Sequence, residues 1–443
     1  MSLSRPIASR RSVWETATPF VEAAQGVRRR LADQRTFVNF VLSVAAVNLA
    51  SLLGSALAFR WIGPGSMGVW HTLLLASSYV TVVRLGLING MGRELPFALG
   101  SGDRDLARRI AATSLGYNAI CSLVAGLAFV VPLGRLWSYG EAWRVALPAM
   151  AVVSASTLYL TYLQATFRSD SDFGRLARVQ WVQAVIGLLM PFMVYAFGFE
   201  GLCVHASLQA VVVTAFAHRL RPLRVAPRFE PALARQLVAT GFPLFVAAYL
   251  QTVATGFDRV ILLRRGGVES VGYYAPAVAV LSAMAIVPGA IASYVYPRMS
   301  YALGQGRTRR ALGRMALQAS AVSFAVGLPL AICGWFLCPA VIAQFFPRYA
   351  ASAPAVRWSL LAGLLWSLSP GSSLLASLKA WRSLWLYVLV VVVARWGFPW
   401  FLSGASEPLE GVARGNVLAA ALAGVLTLVL VWRAAARLEE AAE

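Results

Sequence analysis

The sequence predicts an all-α polytopic membrane protein: about twelve transmembrane helices in two six-helix lobes, related by a pseudo-twofold axis along the membrane normal. Three observations carry this. The first is composition. Of 443 residues, 59% are hydrophobic and only 13% charged, with a mean hydropathy of +0.67, whereas soluble domains run at about 25% charged. The charges sit in short clusters, and the apolar runs between them approach the roughly 20 residues an α-helix needs to cross hydrocarbon. The second is the placement of the basic residues, and the third is an internal repeat.

The spans expected in order are 37–59, 67–89, 110–132, 144–166, 177–198, 201–217, 238–263, 271–295, 315–337, 353–376, 383–402 and 412–432. The sixth is the weakest, being short and carrying His205 and Gln209. The domain reading follows: a cytoplasmic, amphipathic N-terminal segment at 1–36, a first lobe at 37–220, a basic linker at 221–236, a second lobe at 237–432 and a tail at 433–443. The N-terminal segment holds seven arginines with no apolar stretch between them, and the first apolar run exceeds a signal-peptide core.

The basic residues test the count. The N-terminus, the even-numbered loops and the tail hold 28 of the 39 Arg and Lys residues, and the opposite loops hold 8. That is the positive-inside distribution, and it puts both termini in the cytoplasm. It also explains the net charge of +21, which in a soluble chain would point to nucleic acid; no nucleic-acid partner is expected. The four cysteines lie in or beside apolar runs with no metal-ligand spacing, so neither a disulfide nor a metal is expected.

The repeat has an offset of 204 residues. The stretch from Phe59 to Trp70 lies over that from Leu263 to Tyr274, and Ala98–Gly102 lies over Ala302–Gly306. Six spans per half is an even number, so both halves enter the membrane in one orientation, with a substrate path between them. Gly68 and Gly272 follow tight turns, where a missing Cβ permits close helix packing or positive φ. The Gly-x-Gly pieces at 100–102 and 304–306 lack the context of a phosphate loop.

Charges inside the spans are the candidate functional groups, because ionised side chains are expensive in lipid. Arg84, Arg259 and Arg395 would together give a cationic path suited to a phosphate, pyrophosphate or acidic sugar. Each also has an anchoring role open to it, by snorkelling to an interface. Asp258, beside Arg259, either lines the path or pairs with Arg264 or Arg265, the two neighbours being expected on different helix faces. Asn48, Asn118 and Gln251 are candidates for sugar hydroxyls or for bonds between helices. Tyr274 is a candidate for stacking on a sugar ring. Trp70, Trp143, Trp335 and Trp400 are expected in an interfacial belt. Gly241 and Pro243 in the seventh span are the expected hinge.

The run Gly241-Phe-Pro243, then Asp258-Arg259, Gly272-Tyr-Tyr-Ala275 and Tyr296-Pro-Arg-Met-Ser300, resembles polysaccharide biosynthesis flippases of the Wzx type, within the multidrug/oligosaccharidyl-lipid/polysaccharide (MOP) exporter superfamily. The resemblance implies a MATE-like, two-lobed carrier with no catalytic residues. Its substrate would be an undecaprenyl-pyrophosphate-linked, anionic oligosaccharide moved from the cytoplasmic to the periplasmic face of a bacterial inner membrane. A polysaccharide polymerase and a chain-length regulator would be its partners beside the phospholipid bilayer, and a proton or sodium gradient a source of coupling. A lipid II flippase and a multidrug exporter are alternatives of the same fold. The first has more spans than are counted here, and the second would want acids in the path. A membrane-embedded glycosyltransferase or ligase is the alternative of another class, but the outer loops are short.

Overall fold

The computed structural model describes residues 18–132, 140–304, 308–378, 380–404 and 407–436. The N-terminal segment before residue 18 and the tail beyond 436 lie outside them. Apart from turns and the linker at 221–230, the described chain is helical: α1 (Thr18–Trp61), α2 (Pro64–Val80), α3 (Leu87–Gly100), α4 (Arg104–Val130), α5 (Glu141–Ser169), α6 (Phe173–Gly187), α7 (Met190–Leu220), α8 (Pro231–Ala254), α9 (Phe257–Tyr273), α10 (Ala275–Gly304), α11 (Arg309–Phe345), α12 (Ala353–Trp366), α13 (Trp381–Leu402) and α14 (Pro408–Ala436), with a short helical turn at Ser373–Ser377.

These helices compose the expected passages. Ten helices among the described residues are long and apolar enough to cross a membrane. The fifth and tenth passages are absent from that set because each is interrupted. α6 is broken from α7 at Leu188–Leu189, and α7 itself turns at Gly198 with φ +55°, which separates the fifth passage from the sixth. The tenth runs from α12 through a 3₁₀ turn at Ser369–Ser372. α9 likewise turns at Gly267 with φ +73°, joining the seventh passage to the eighth.

Helix starts follow local chemistry. Asp103, Asp172 and Thr308 each accept an N–H three residues on, capping α4, α6 and α11. Breaks inside the membrane occur where protein satisfies the freed backbone. The second passage breaks between α2 and α3, where Leu85 and Gly86 both take positive φ. There the Val83 carbonyl accepts from Tyr117 Oη at 3.1 Å and Cys121 Sγ at 3.3 Å. At the tenth-passage break, Ser320 Oγ donates to the Leu368 carbonyl at 2.7 Å and accepts the Gly371 N–H at 3.0 Å. The seventh passage breaks at Thr255–Gly256, between α8 and α9. Helix α8 is continuous through Gly241 and Pro243, so the discontinuity falls beyond the hinge expected from sequence.

The 204-residue repeat appears as a contact. A Cβ on Gly68 would strike the carbonyl oxygen of Val268, and one on Gly272 would strike that of Pro64. Pro64 and Val268 are themselves repeat-related, so the contact is reciprocal, as a twofold axis requires. Both glycines serve close approach, and neither has positive φ. The lobes also meet nearby through Tyr349, fully buried, whose hydroxyl donates to the Ile62 carbonyl at 2.9 Å and whose ring lies 5.2 Å from Phe59. This seam joins the lobes at the end of the molecule opposite Thr18 and Ala436. Nearer the end that carries Thr18 and Ala436, Gly86 and Gly90 of the second passage abut Gly241 and Leu237 of α8 backbone to backbone.

The linker is not a free tether. The Arg228 N–H donates to the Ala112 carbonyl at 3.1 Å, and Glu230 pairs with Arg109 at 2.7 Å. These bonds strap residues 228–230 to α4. The hydrogen bonds from Arg109, more than its charge, hold the Glu230 carboxyl below the usual carboxylate range.

Candidate functional site: a cationic cavity between the lobes

Two adjoining cavities lie between and beside the lobes. The first, of about 310 Å³, draws Asn48, Ser51, Ser55, Trp70 and His71 from the first lobe and Arg259 and Ser282 from the second. The second, of about 250 Å³, lies within the second lobe and includes Thr255, Asp258, Arg259, Trp366, Arg395 and Asn416. Arg259, Val278 and Ser282 line both, so the two cavities adjoin at Arg259.

The break between α8 and α9 builds this site. Asp258 and Arg259 occupy the first turn of α9, where a carboxylate suits the helix dipole. The sequence argument placed them on different faces. Instead the two are joined: Asp258 Oδ1 accepts the Arg259 N–H at 2.7 Å and lies 3.5 Å from its Nε. The helix-face rule fails here because a side chain in the first turn can fold back onto a first-turn backbone N–H, here one shared with the Gly256 carbonyl. Arg259 Nη2 also donates to the Thr255 carbonyl at 3.3 Å. Arg265, the other partner considered for Asp258, turns away to the Trp400 carbonyl and lies 4.7 Å from that indole ring.

Arg395 reaches the second cavity from α13. Its guanidinium lies 4.0 Å from the Trp366 ring centroid, a cation–π arrangement that leaves its N–H edge available. Among the described residues no carboxylate lies within ion-pairing distance of it. The second cavity therefore carries two guanidinium groups against one carboxylate, and that carboxylate is already engaged by Arg259.

The other sequence candidates divide. Asn48 lines the first cavity while its amide donates to the Val44 carbonyl at 2.8 Å. Tyr274 is fully buried behind the second cavity and accepts from Asn416 Nδ2 at 3.1 Å. It supports a lining residue instead of offering a face to a sugar. Asn118 is buried between α4 and α5, with its amide 3.3 Å from the Leu158 carbonyl; it holds helices together. Gln251 is not among the residues lining either cavity. Arg84 does not join the other two arginines; it faces a separate cavity with Asn89, Thr161 and Arg168. Gly241 packs on Gly86 and Gly90, and Pro243 lies in the unbroken α8.

Trp70 is also misplaced by the interfacial-belt reading. It is 8% exposed in the apolar core and lines the first cavity. The residues that sequence reasoning missed are His71, Trp366, Asn416 and Arg168. His71 carried a signal, as a histidine inside an apolar span; its Nδ1 is buried with no partner. Trp366 and Asn416 carried none, because one more Trp or Asn in a span has no distinguishing pattern.

The chain thus has twelve passages in two symmetric lobes, with a cavity lined by Arg259 at their interface. The family model for polysaccharide biosynthesis protein matches residues 107–351. The chain belongs to that family. No curated protein matches it. Among solved structures it is similar to an inward-facing multidrug resistance MATE family transporter of the MOP superfamily, with a TM-score of 0.74 and 18% identity over 90% of this chain and 99% of that one. The outward-facing structure of a transporter so described gives a TM-score of 0.61 at 17% identity, covering 92% and 96%. A MATE structure in the bent conformation gives 0.61 at 17% identity, covering 92% and 97%. The family is thus that of polysaccharide biosynthesis proteins, and the fold is the one these transporter structures have. Among the described residues no group of His, Cys, Asp and Glu is placed to hold a metal ion.

Proposed function

We propose that this protein is a flippase that carries an undecaprenyl-pyrophosphate-linked oligosaccharide from the cytoplasmic to the periplasmic face of a bacterial inner membrane, for exopolysaccharide, capsule or O-antigen assembly. The observation that carries the reading is the pair of adjoining cavities, with Arg259 lining both and Arg395 lining the second. Guanidinium groups pair with multi-oxygen anions, and Asn48, Ser51, Ser55 and Asn416 supply hydrogen bonds of the kind sugar hydroxyls take. The family's description as a polysaccharide biosynthesis protein supports the substrate class.

Each six-helix lobe moves as a unit, and the strapped linker joins them. With both termini cytoplasmic, the Gly68–Gly272 seam lies on the periplasmic side and is shut. The higher score against an inward-facing relative than against an outward-facing one agrees with that orientation. The pyrophosphate and glycan enter from the cytoplasm while the lipid tail stays in the bilayer. The lobes then rock and the seam parts. A proton or sodium gradient, or consumption of product by a polymerase and its chain-length regulator, drives net movement.

The test is transport in proteoliposomes loaded with a fluorescent undecaprenyl-pyrophosphate oligosaccharide, scored by access of a membrane-impermeant reagent. Arg259→Gln with Arg395→Gln is expected to lower the rate at least about tenfold, as befits loss of charge-assisted bonds to an anion. Unchanged transport in that variant would remove the arginines from the path. No transport by the wild type, with several glycans tried, would refute the substrate class.

A further inference from the structure

The polar cavity around Arg84 is a second site, apart from the one just described. It has a volume of about 470 Å³ and is lined by Arg84, Asn89, Thr161, Arg168 and Ser169 among others. None of its lining residues lines the inter-lobe cavity. Arg84 Nη2 donates to Thr161 Oγ1 at 3.1 Å, while its Nε is buried with no partner. Arg168, in the last turn of α5, is the second guanidinium of the cavity. Among the described residues neither arginine has a carboxylate within ion-pairing distance.

The backbone adds to the same field. The chain breaks at Leu85–Gly86, both at positive φ, so that α3 starts afresh inside the membrane. Its N-terminus has no side-chain cap, and first-turn residues Ile88 and Asn89 line the cavity. The cavity follows the flank of this fourteen-residue helix from its first turn to Pro96, with the partly buried Arg84 at the break before it and the exposed Arg168 at the end of α5. Interrupted membrane helices bind anionic groups at their N-termini, and a buried guanidinium N–H without an acceptor, as at Arg84 Nε, costs free energy that an anion would recover.

From these features we infer that the Arg84–Arg168 cavity is an anion site for a phosphate or diphosphate ester. It lies toward the end of the molecule that carries Thr18 and Ala436, so an incoming lipid-linked diphosphate meets it before the inter-lobe cavity. The same chemistry suits the headgroup of an anionic phospholipid held there. The inference does not depend on which solute crosses the membrane.

The experiment is calorimetric titration of inorganic pyrophosphate into the full chain in nanodiscs of neutral phosphatidylcholine. It is run alongside native mass spectrometry of the chain purified from membranes containing phosphatidylglycerol. Arg84→Gln with Arg168→Gln is expected to weaken one binding event at least tenfold, and Arg84→Lys with Arg168→Lys to restore part of it. Arg259→Gln with Arg395→Gln is expected to leave that event in place. Retention of phosphatidylglycerol by the wild type and its loss in the Gln pair, without a pyrophosphate effect, supports the site and makes a headgroup its occupant. A Gln pair that matches the wild type in both measurements overturns the inference. Loss of all pyrophosphate binding in the Arg259/Arg395 variant alone also overturns it, and leaves the inter-lobe reading standing. Both Gln pairs are carried forward only as monodisperse protein, and the Lys pair stands in where the Arg84/Arg168 Gln pair is not.

Discussion

Replacing Gly68 by alanine adds one methyl group at the point where the two lobes meet. That methyl lands on the Val268 carbonyl oxygen, inside the 3.4 Å at which ordinary Cβ contact begins, with the Gly272 nitrogen 3.1 Å away. Both obstacles are backbone, so no side-chain rotation relieves the clash; α2 and the segment of α9 after Gly267 must part. Overpacking of this kind costs about 1–3 kcal/mol. Two ways of meeting the cost are open: unfolding, or leaving the state in which the seam is shut. A carrier that alternates between two states takes the second, because the open state has no such contact. A penalty of about 1–3 kcal/mol on one state shifts the equilibrium roughly 5- to 150-fold. The assay is a pair of spin labels placed across the seam, one on the turn before α2 and one on α9, with distances read in nanodiscs. Gly68→Ala is expected to move the population to the longer distance, and Gly272→Ala to do the same. The two together are expected to give less than the sum, since both act on one contact. An unchanged distance distribution with unchanged thermal stability would refute the assignment of this seam as a moving gate.

Two further predictions follow from single groups. Asp258→Asn removes the carboxylate that engages Arg259, so binding of inorganic pyrophosphate is expected to tighten while the transport rate falls, because release slows; titration and flipping rates together check this, and weaker binding would contradict it. The Arg109–Glu230 strap gives a pH dependence. The Glu230 carboxyl is held below its ordinary range in the fold, so its contribution is present above the unfolded pKa and lost as pH falls through the folded one. Thermal melts of wild type and Glu230→Gln should differ slightly near neutral pH and converge in acid, and a gap that widens in acid would reverse the sign.

Much of this fold was legible because hydrocarbon enforces a simple code. Span length, the side carrying arginine and the 204-residue offset each leave a direct mark on sequence. The Gly68–Gly272 contact was legible as a repeat, although only the structure makes it a contact. Helix breaks were less legible. Pro243 drew attention and lies in an unbroken helix, whereas the real breaks at Leu85–Gly86 and Thr255–Gly256 contain no proline. A lone proline frees one carbonyl, which a bundle easily accommodates; a break needs satisfied groups from neighbouring helices, such as Tyr117 and Cys121 at Val83. The site was half legible. Charge inside a span marked Arg84, Arg259 and Arg395, but the grouping of Arg84 with Arg168 depends on how α3 and α5 pack, which no local pattern encodes. Arg168 also stood in a loop at the sequence level, where one more arginine is unremarkable.

The two seams between the lobes are unequal, and the repeat explains why. On one side α3 lies along α8, with Gly86, Gly90 and Gly241 allowing backbone to meet backbone. At the repeat offset, the residues standing in the related positions are Ala290, Tyr294 and Phe37. Ala290 and Tyr294 are larger than the glycines they stand over, and among the described residues α1 and α10 touch only sparsely. Tyr294 is half exposed, and the Arg298 guanidinium lies 3.9 Å from its ring centroid. A symmetric fold has thereby acquired one fixed side and one yielding side. Rocking of the lobes is therefore expected to pivot about the α3–α8 crossing and to open along α1–α10. A disulfide engineered between α3 and α8 is therefore expected to leave transport near the wild-type rate. One between α1 and α10, near Tyr294, is expected to abolish transport until it is reduced. If the first cross-link blocks transport and the second does not, the pivot lies on the wrong side and glycine packing here serves stability alone.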